Sequence, residues 1–289
     1  MIMTGLGMKK TRIAKKILFY AGLILAICIL DFPIYWMIKC SLTDVSNIMS
    51  RDVSVAIKEV NLSAYKQVIT STGFASQLKF MTYIKNSFIV VLASSAISIV
   101  LATLAGYSLA RFKYKGRESI SQAILYVYMF PQMILTTPLL VLVIKLNLYN
   151  NLWSLIIVYC TFSLPYSIWM MRSYFSTLPK ELEEAAMVDG CTRLKAVRRI
   201  MMPLALPGIV ATITYTFVLG WSNVIYPLSF ITDESEKVVS VGFNSLIAGD
   251  MTPWNGVMAA AALSAIPVVL VFLFLQKYLI GGLSAGGVK

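Results

Sequence analysis

The sequence predicts an all-α integral membrane protein: six transmembrane helices, with a helix, a tight turn and a second helix in the cytoplasm between the fourth and fifth. Three observations predict it. The 289 residues are 58% hydrophobic and 13% charged, with a mean hydropathy of +0.77, too apolar for an ordinary soluble domain. Apolar runs long enough to cross a bilayer recur along the chain, with basic residues clustered beside them. The longest polar interruption with helical order, Leu178 to Gly208, carries its own start and stop signals.

Composition also excludes chemistry. There is no histidine, which removes imidazole catalysis, imidazole metal sites and histidine pH switching. Cys28, Cys40, Cys160 and Cys191 form no C-x-x-C pair, so buried thiols are expected rather than a disulfide framework. The net charge of +12 is accounted for by membrane topology, and no nucleic-acid partner is expected.

Residues 1–16 are a basic cytoplasmic segment and 17–38 the first span, retained because it is longer than a signal-peptide core. Asp31 lies inside it, either a functional intramembrane carboxylate or one facing the bundle interior or outer interface. Residues 39–86 are mixed in composition, with Arg51, Asp52 and Lys58 among their charges, and form an extracytoplasmic loop. A core of five further spans fills 87–280. The second span, 87–110, contains Ser94, Ser95, Ala96, Ser98, Ala102, Ala105 and Gly106, small residues that let helices approach closely. It ends at Arg111, Lys113, Lys115 and Arg117, a cytoplasmic cluster. The third span, 120–144, is expected to kink at Pro131 and Pro138, and the fourth, 152–171, to break at Pro165. The fifth, 204–231, holds Trp221, Asn223 and Tyr226, and is followed by an outer loop at 232–256. The sixth, 257–279, leads to a cytoplasmic tail at 281–289. With 17 basic residues on the proposed inner side and 8 on the outer, both ends are assigned to the cytoplasm.

Within the cytoplasmic stretch, with helices over about 179–202, Pro179 suits a first helical turn and Glu181, Glu183 and Glu184 favour its positive end. Gly190 is placed to close that helix in a left-handed cap. Thr192 can cap a second helix, which Pro203 is expected to interrupt. The acidic residues sit on a helix expected to be water-exposed, where cap and dipole roles suffice, so neither a metal nor an acid/base site is assigned. Leu182, Ala185, Ala186 and Asp189 share one face, which suits docking of a partner and packing on the protein's own bundle equally well. The tail, where Gly287 is followed by Val288, lacks the Gly-Lys-Ser/Thr of a phosphate loop.

The run Glu184, Ala185, Ala186, Asp189, Gly190, continued by Ile200, Pro203, Leu204, Pro207 and Gly208, resembles the cytoplasmic EAA signature of permease subunits in bacterial binding-protein-dependent ABC importers. SLT after span one, NSF opening span two, AGYSLARFKYKGR and WSNVIYPLSF are similar to carbohydrate permeases of the maltose-type group, so the resemblance covers nearly the whole chain. Cys191, Val197 and Met202 depart from the usual Ala, aromatic and Leu but leave the turn intact. Ser222, Asn223 and Val224 replace a frequent Asn-Glu-Phe type of sequence.

The resemblance implies a type I importer permease in a multi-pass bacterial cytoplasmic (inner) membrane. In that family the EAA helix is the coupling helix, and Glu184, Ala185, Ala186, Asp189 and Gly190 become the ATPase-docking residues. It further implies a second homologous permease, an ATPase subunit dimer, an extracytoplasmic solute-binding protein and a carbohydrate substrate. The chain itself has no catalytic residue and no cofactor; ATP and magnesium belong to the partner ATPase. Tyr128, Gln132, Trp221, Asn223 and Tyr226 combine rings and amides as a sugar requires, although helix packing accounts for each singly. An ABC permease for a non-sugar solute and a secondary transporter using Asp31 are the alternative readings.

Overall fold

A computed structural model describes residues 3–50, 54–57, 59–242, 246–247 and 252–285, with side chains over the described part of 15–278. Arg51, Asp52, Lys58, Gly287, Val288 and parts of the 232–256 loop lie outside the described residues. Among the described residues there is no strand. Four helices are long and apolar enough to cross a membrane, at Lys15–Ser41, Phe80–Arg111, Leu152–Thr177 and Trp254–Tyr278. Two bent pairs, Arg117–Tyr128 with Gln132–Lys145 and Arg193–Leu204 with Leu206–Ser222, bring the count to six when each is one span.

The chain divides into two compact units, Met1–Ser76 with Leu246–Leu263 and Gln77–Ser245 with Ser264–Lys289. In the first, the helix Met3–Ser41 runs unbroken through Pro33, and none of its apolar window is buried. Asp31 is exposed on that helix. Beyond it, the Asn61 amide donates to Asp44 Oδ1 at 2.6 Å and the Tyr35 hydroxyl to the Val55 carbonyl at 2.6 Å, which folds the loop back onto the helix end.

In the second unit, helix Phe80–Arg111 packs against Leu152–Thr177 and Leu206–Ser222. Its predicted small-residue face is the contact: Ser94, Ser95, Ser98, Ala102 and Gly106 are buried, whereas Ala96 points outward. Ser98 and Ser163 share a hydroxyl hydrogen bond of 2.7 Å across the two spans. At Gly106 a Cβ would stand 2.7 Å from Met171 Cβ, so only glycine permits this approach.

The prolines behave in three ways. The third span breaks by 84° just before the helical turn Gln132–Leu135, and Pro131 lies in that break as expected, but Pro138 sits in the first turn of Thr136–Lys145 and kinks nothing. Pro165 does not break the fourth span, whose helix is continuous from Leu152 to Thr177. Proline removes the i+4 donor of the Thr161 carbonyl, and Thr161 borders a pocket. Pro203 does not interrupt its helix either. A π-helical turn at Val197–Met201 widens the backbone ahead of it, the helix reaches Leu204, and the 73° bend comes at Ala205.

The expected fifth span is also divided: helix Leu206–Ser222 ends at Asn223, and a short helix Ile225–Phe230 follows.

Candidate functional site

The hairpin between the fourth and fifth spans begins with helix Glu181–Val188, with Pro179 two residues ahead of it rather than in its first turn. Its end is a Schellman motif: Gly190 has φ +83°, its N–H donates to the Met187 carbonyl at 3.1 Å, and Cys191 N–H donates to the Ala186 carbonyl at 2.9 Å. The return helix starts at Arg193, where the Thr192 hydroxyl accepts from Lys195 N–H at 3.4 Å.

The face expected to be uniform is divided. Leu182, Glu184, Ala185, Val188, Asp189 and Gly190 are exposed, Val188 at 88%. Ala186 is buried against the chain's own residues and presents no surface to a partner. Glu183 corrects the expectation of a water-exposed acidic helix, being only 5% exposed.

Its carboxylate accepts a short hydrogen bond from the Tyr107 hydroxyl at the end of the second span. Arg111 Nε lies 3.6 Å from Oε2, and Arg193 Nε of the return helix lies 3.4 Å from Oε1. A buried carboxylate needs this combination of opposite charge and a hydrogen-bond donor to remain ionised cheaply. Phe112 meets the Tyr107 ring edge-on at 5.7 Å and carries the Arg193 guanidinium 5.2 Å above its own ring. Reasoning from the helix dipole missed this cluster because it treats the three glutamates of one turn alike. The signal available was register: Glu183 lies three residues before Ala186, on the side opposite Ala185.

At membrane depth, the five residues proposed for a solute path separate into groups. Tyr128, 43% exposed, and the half-buried Gln132 border a pocket of about 200 Å³ at the third-span break, with Phe130, Thr161, Phe162 and Pro165. Tyr226 is 1% exposed, stacks on Phe162 at 5.2 Å and donates its hydroxyl to the Gln132 carbonyl at 2.9 Å. Trp221, 6% exposed, packs against Phe217 and Phe88 and donates Nε1–H to the Ser264 carbonyl at 3.1 Å. Asn223 Oδ1 accepts from Tyr226 N–H at 3.2 Å and starts the short helix. None of these three lines the pocket; Tyr226 backs it through Phe162 and Gln132, while Trp221 packs among Phe88 and Phe217. The sequence reading passed over Tyr166 and Tyr215, whose rings lie 4.0 Å apart, with Tyr166 5.8 Å from Tyr128. Three half-open tyrosines from three spans make an aromatic surface beside the pocket.

At the start of the second span, Asn86 of the NSF segment donates to the carbonyls of Ser235 and Lys237 at 2.8 and 2.9 Å, and Ser87 Oγ accepts from Val239 N–H at 2.8 Å. Asn150 Oδ1 accepts from the N–H groups of Thr232 and Asp233 at 2.6 and 3.1 Å. These bonds fix the start of the outer loop. Among the described residues, no group of three metal-ligating side chains occurs.

A family model described as "Binding-protein-dependent transport system inner membrane component" matches residues 98–284. The inner membrane ABC transporter permease protein YcjP of Escherichia coli (strain K12) is 34% identical over 278 residues, 96% of this chain and 98% of that protein. The trehalose/maltose transport system permease protein MalG of Thermococcus litoralis is 35% identical over 282 residues, 97% and 99%. Among solved structures, the fold is similar to a chain of a bacterial ABC transporter involved in the import of the acidic polysaccharide alginate. The TM-score is 0.75 at 20% identity, over 92% of this chain and 96% of that one.

Proposed function

The chain belongs to the family of binding-protein-dependent transport system inner membrane components, and on that premise we propose that it is the permease subunit of an ATP-driven ABC importer for a carbohydrate. The observation that carries the proposal is the exposed, Schellman-capped helix Glu181–Val188 between two membrane spans, in a chain related over nearly all its length to a trehalose/maltose permease. The subunit is a non-catalytic, multi-pass inner-membrane protein, with both ends assigned to the cytoplasm by the basic-residue bias.

ATP and magnesium are bound by a separate ATPase subunit dimer that docks on the hairpin. Glu184, Ala185, Asp189 and Gly190 form the docking face, while Ala186 lets the helix lie close to its own bundle. Exposed carboxylates there can meet basic or amide groups, and Ala185 and Gly190 allow close approach. A second homologous permease covers apolar faces that this chain leaves open, the unburied first span among them. An extracytoplasmic solute-binding protein delivers the sugar to the side of the 232–256 loop.

The solute path follows Tyr128 and Gln132, with Tyr166 and Tyr215 beside them. Tyrosine rings stack on the apolar face of a sugar, and the amide and hydroxyls bond its hydroxyl groups. At about 200 Å³ the pocket is smaller than a complete ligand site of about 300–1,000 Å³, so the second permease supplies the opposite wall. The roles proposed for the segments 1–16, 17–38, 39–86, 87–280 and 281–289 are those expected from the sequence, with the helices Met3–Ser41 and Phe80–Arg111 reaching past the expected span limits.

Uptake by proteoliposomes holding both permeases and the ATPase, with binding protein outside and ATP inside, tests the reading. Accumulation of a di- or oligosaccharide such as trehalose or maltose, dependent on all components, is expected. Accumulation of amino acids but no sugar across a broad panel refutes the carbohydrate assignment. Gradient-driven uptake by this chain alone refutes the ABC assignment.

A further inference from the structure

Four pieces of chain meet at the Glu183 carboxylate and its neighbours. Tyr107 and Arg111 come from the exit of the second span, Glu183 from the first cytoplasmic helix and Arg193 from the return helix. Arg111 Nη2 also donates to the carbonyl of Leu178, the residue that ends the fourth-span helix, at 2.9 Å. Glu181, Glu184 and Asp189 are exposed, whereas Glu183 points inward. The hairpin thus has an outer face free for a partner and an inner face tied to two spans.

Apolar side chains can slide over one another at small cost, but a buried carboxylate cannot leave its guanidinium and hydroxyl partners without stranding charge. Displacement of this helix is therefore passed on as displacement of the span ends. We infer that Glu183 is a positioning residue that delivers movement of the docked hairpin to the second and fourth spans, through Tyr107 and Arg111. The inference rests on the reading that an ATPase docks on the hairpin's outer face. It concerns transmission rather than docking, and predicts that removing the carboxylate charge separates ATP hydrolysis from transport.

The test uses the complete reconstituted importer with Glu183→Gln, Tyr107→Phe and the double variant. Three quantities are read: ATPase subunit retained on purification, binding-protein-stimulated ATP hydrolysis, and sugar imported per ATP hydrolysed. Both single variants should retain the ATPase and its hydrolysis, while sugar per ATP falls about tenfold, within the range of a typical coupling free energy. The double variant should be no worse than Glu183→Gln, since both changes remove one linkage. A purely stabilising contact would lower the amount of complex without altering the ratio, and an unchanged ratio overturns the inference. Should Glu183→Gln fail to assemble, Tyr107→Phe, which loses only a hydroxyl, decides by the same ratio. Failure of the docking reading is visible separately: a complex carrying Val188→Asp on the outer face would then keep its ATPase and full stimulation.

Discussion

The Tyr226 hydroxyl donates to the main-chain carbonyl of Gln132 at 2.9 Å, joining the short helix after the fifth-span break to the break in the third span. The bond uses the Tyr226 hydroxyl and a main-chain oxygen of Gln132, a residue that also borders the pocket. The bond gives the Gln132 carbonyl, at the start of the helical turn after the break, a partner from another segment.

Tyr226→Phe should therefore act on stability more than on substrate affinity. Loss of one net hydrogen bond predicts about 1 kcal/mol of destabilisation, read as earlier thermal inactivation in detergent. The sugar KM should stay within a factor of about two. By contrast, Gln132→Ala, which removes an amide bordering the pocket, should raise KM.

Gly106 fixes the separation of the second and fourth spans, since an added Cβ would lie 2.7 Å from Met171 Cβ and 2.8 Å from Arg172 N. Gly106→Ala should cost about 1–3 kcal/mol, as overpacking does, and lower the midpoint of thermal unfolding. Ala96→Gly on the outward side of the same helix should have a smaller effect, near the helix-propensity difference of about 1 kcal/mol.

Asn86 holds two carbonyls of the outer loop from the start of the second span. Asn86→Leu leaves both without that donor and should cost about 1–3 kcal/mol locally. Faster amide hydrogen exchange over residues 232–242 and weaker stimulation by the binding protein are the expected readouts.

Glu234 accepts from the buried Tyr83 hydroxyl at 2.5 Å and from the Lys237 ammonium. Burial alone would raise its pKa, but Lys237 and Tyr83 outweigh burial and hold the carboxyl below its ordinary 4.5. A depressed pKa contributes stability that is present above the unfolded value and is lost as pH falls through the folded one. Glu234→Gln should thus be less stable than the parent at pH 7. The difference should close as the pH is lowered from 4.5, by thermal melts at matched ionic strength.

Residue chemistry announced the features whose causes are local. Gly190 at a helix end requires a left-handed conformation, and it has one; serine, alanine and glycine spaced along one helix imply close packing, and they pack. Features caused by distant partners were illegible. Glu183 differs from Glu181 and Glu184 only in register, and its hydroxyl partner lies 76 residues away. Pro165 and Pro203 looked like breaks because proline removes a donor, but the helix runs on through Pro165 and a π turn precedes Pro203. Tyr166 and Tyr215 carry no local signal, and only the packing of their helices brings them together beside Tyr128.

The measurement closest to the central claim is co-purification of the ATPase subunit with a Gly190→Pro permease. Proline cannot adopt φ +83° and removes the N–H that donates to Met187, so the hairpin loses its turn while the apolar spans are untouched. A permease that inserts normally into membranes, retains no ATPase and supports no sugar-stimulated ATP hydrolysis is the predicted result. Intact ATPase assembly with full sugar-stimulated turnover in that variant would contradict the account.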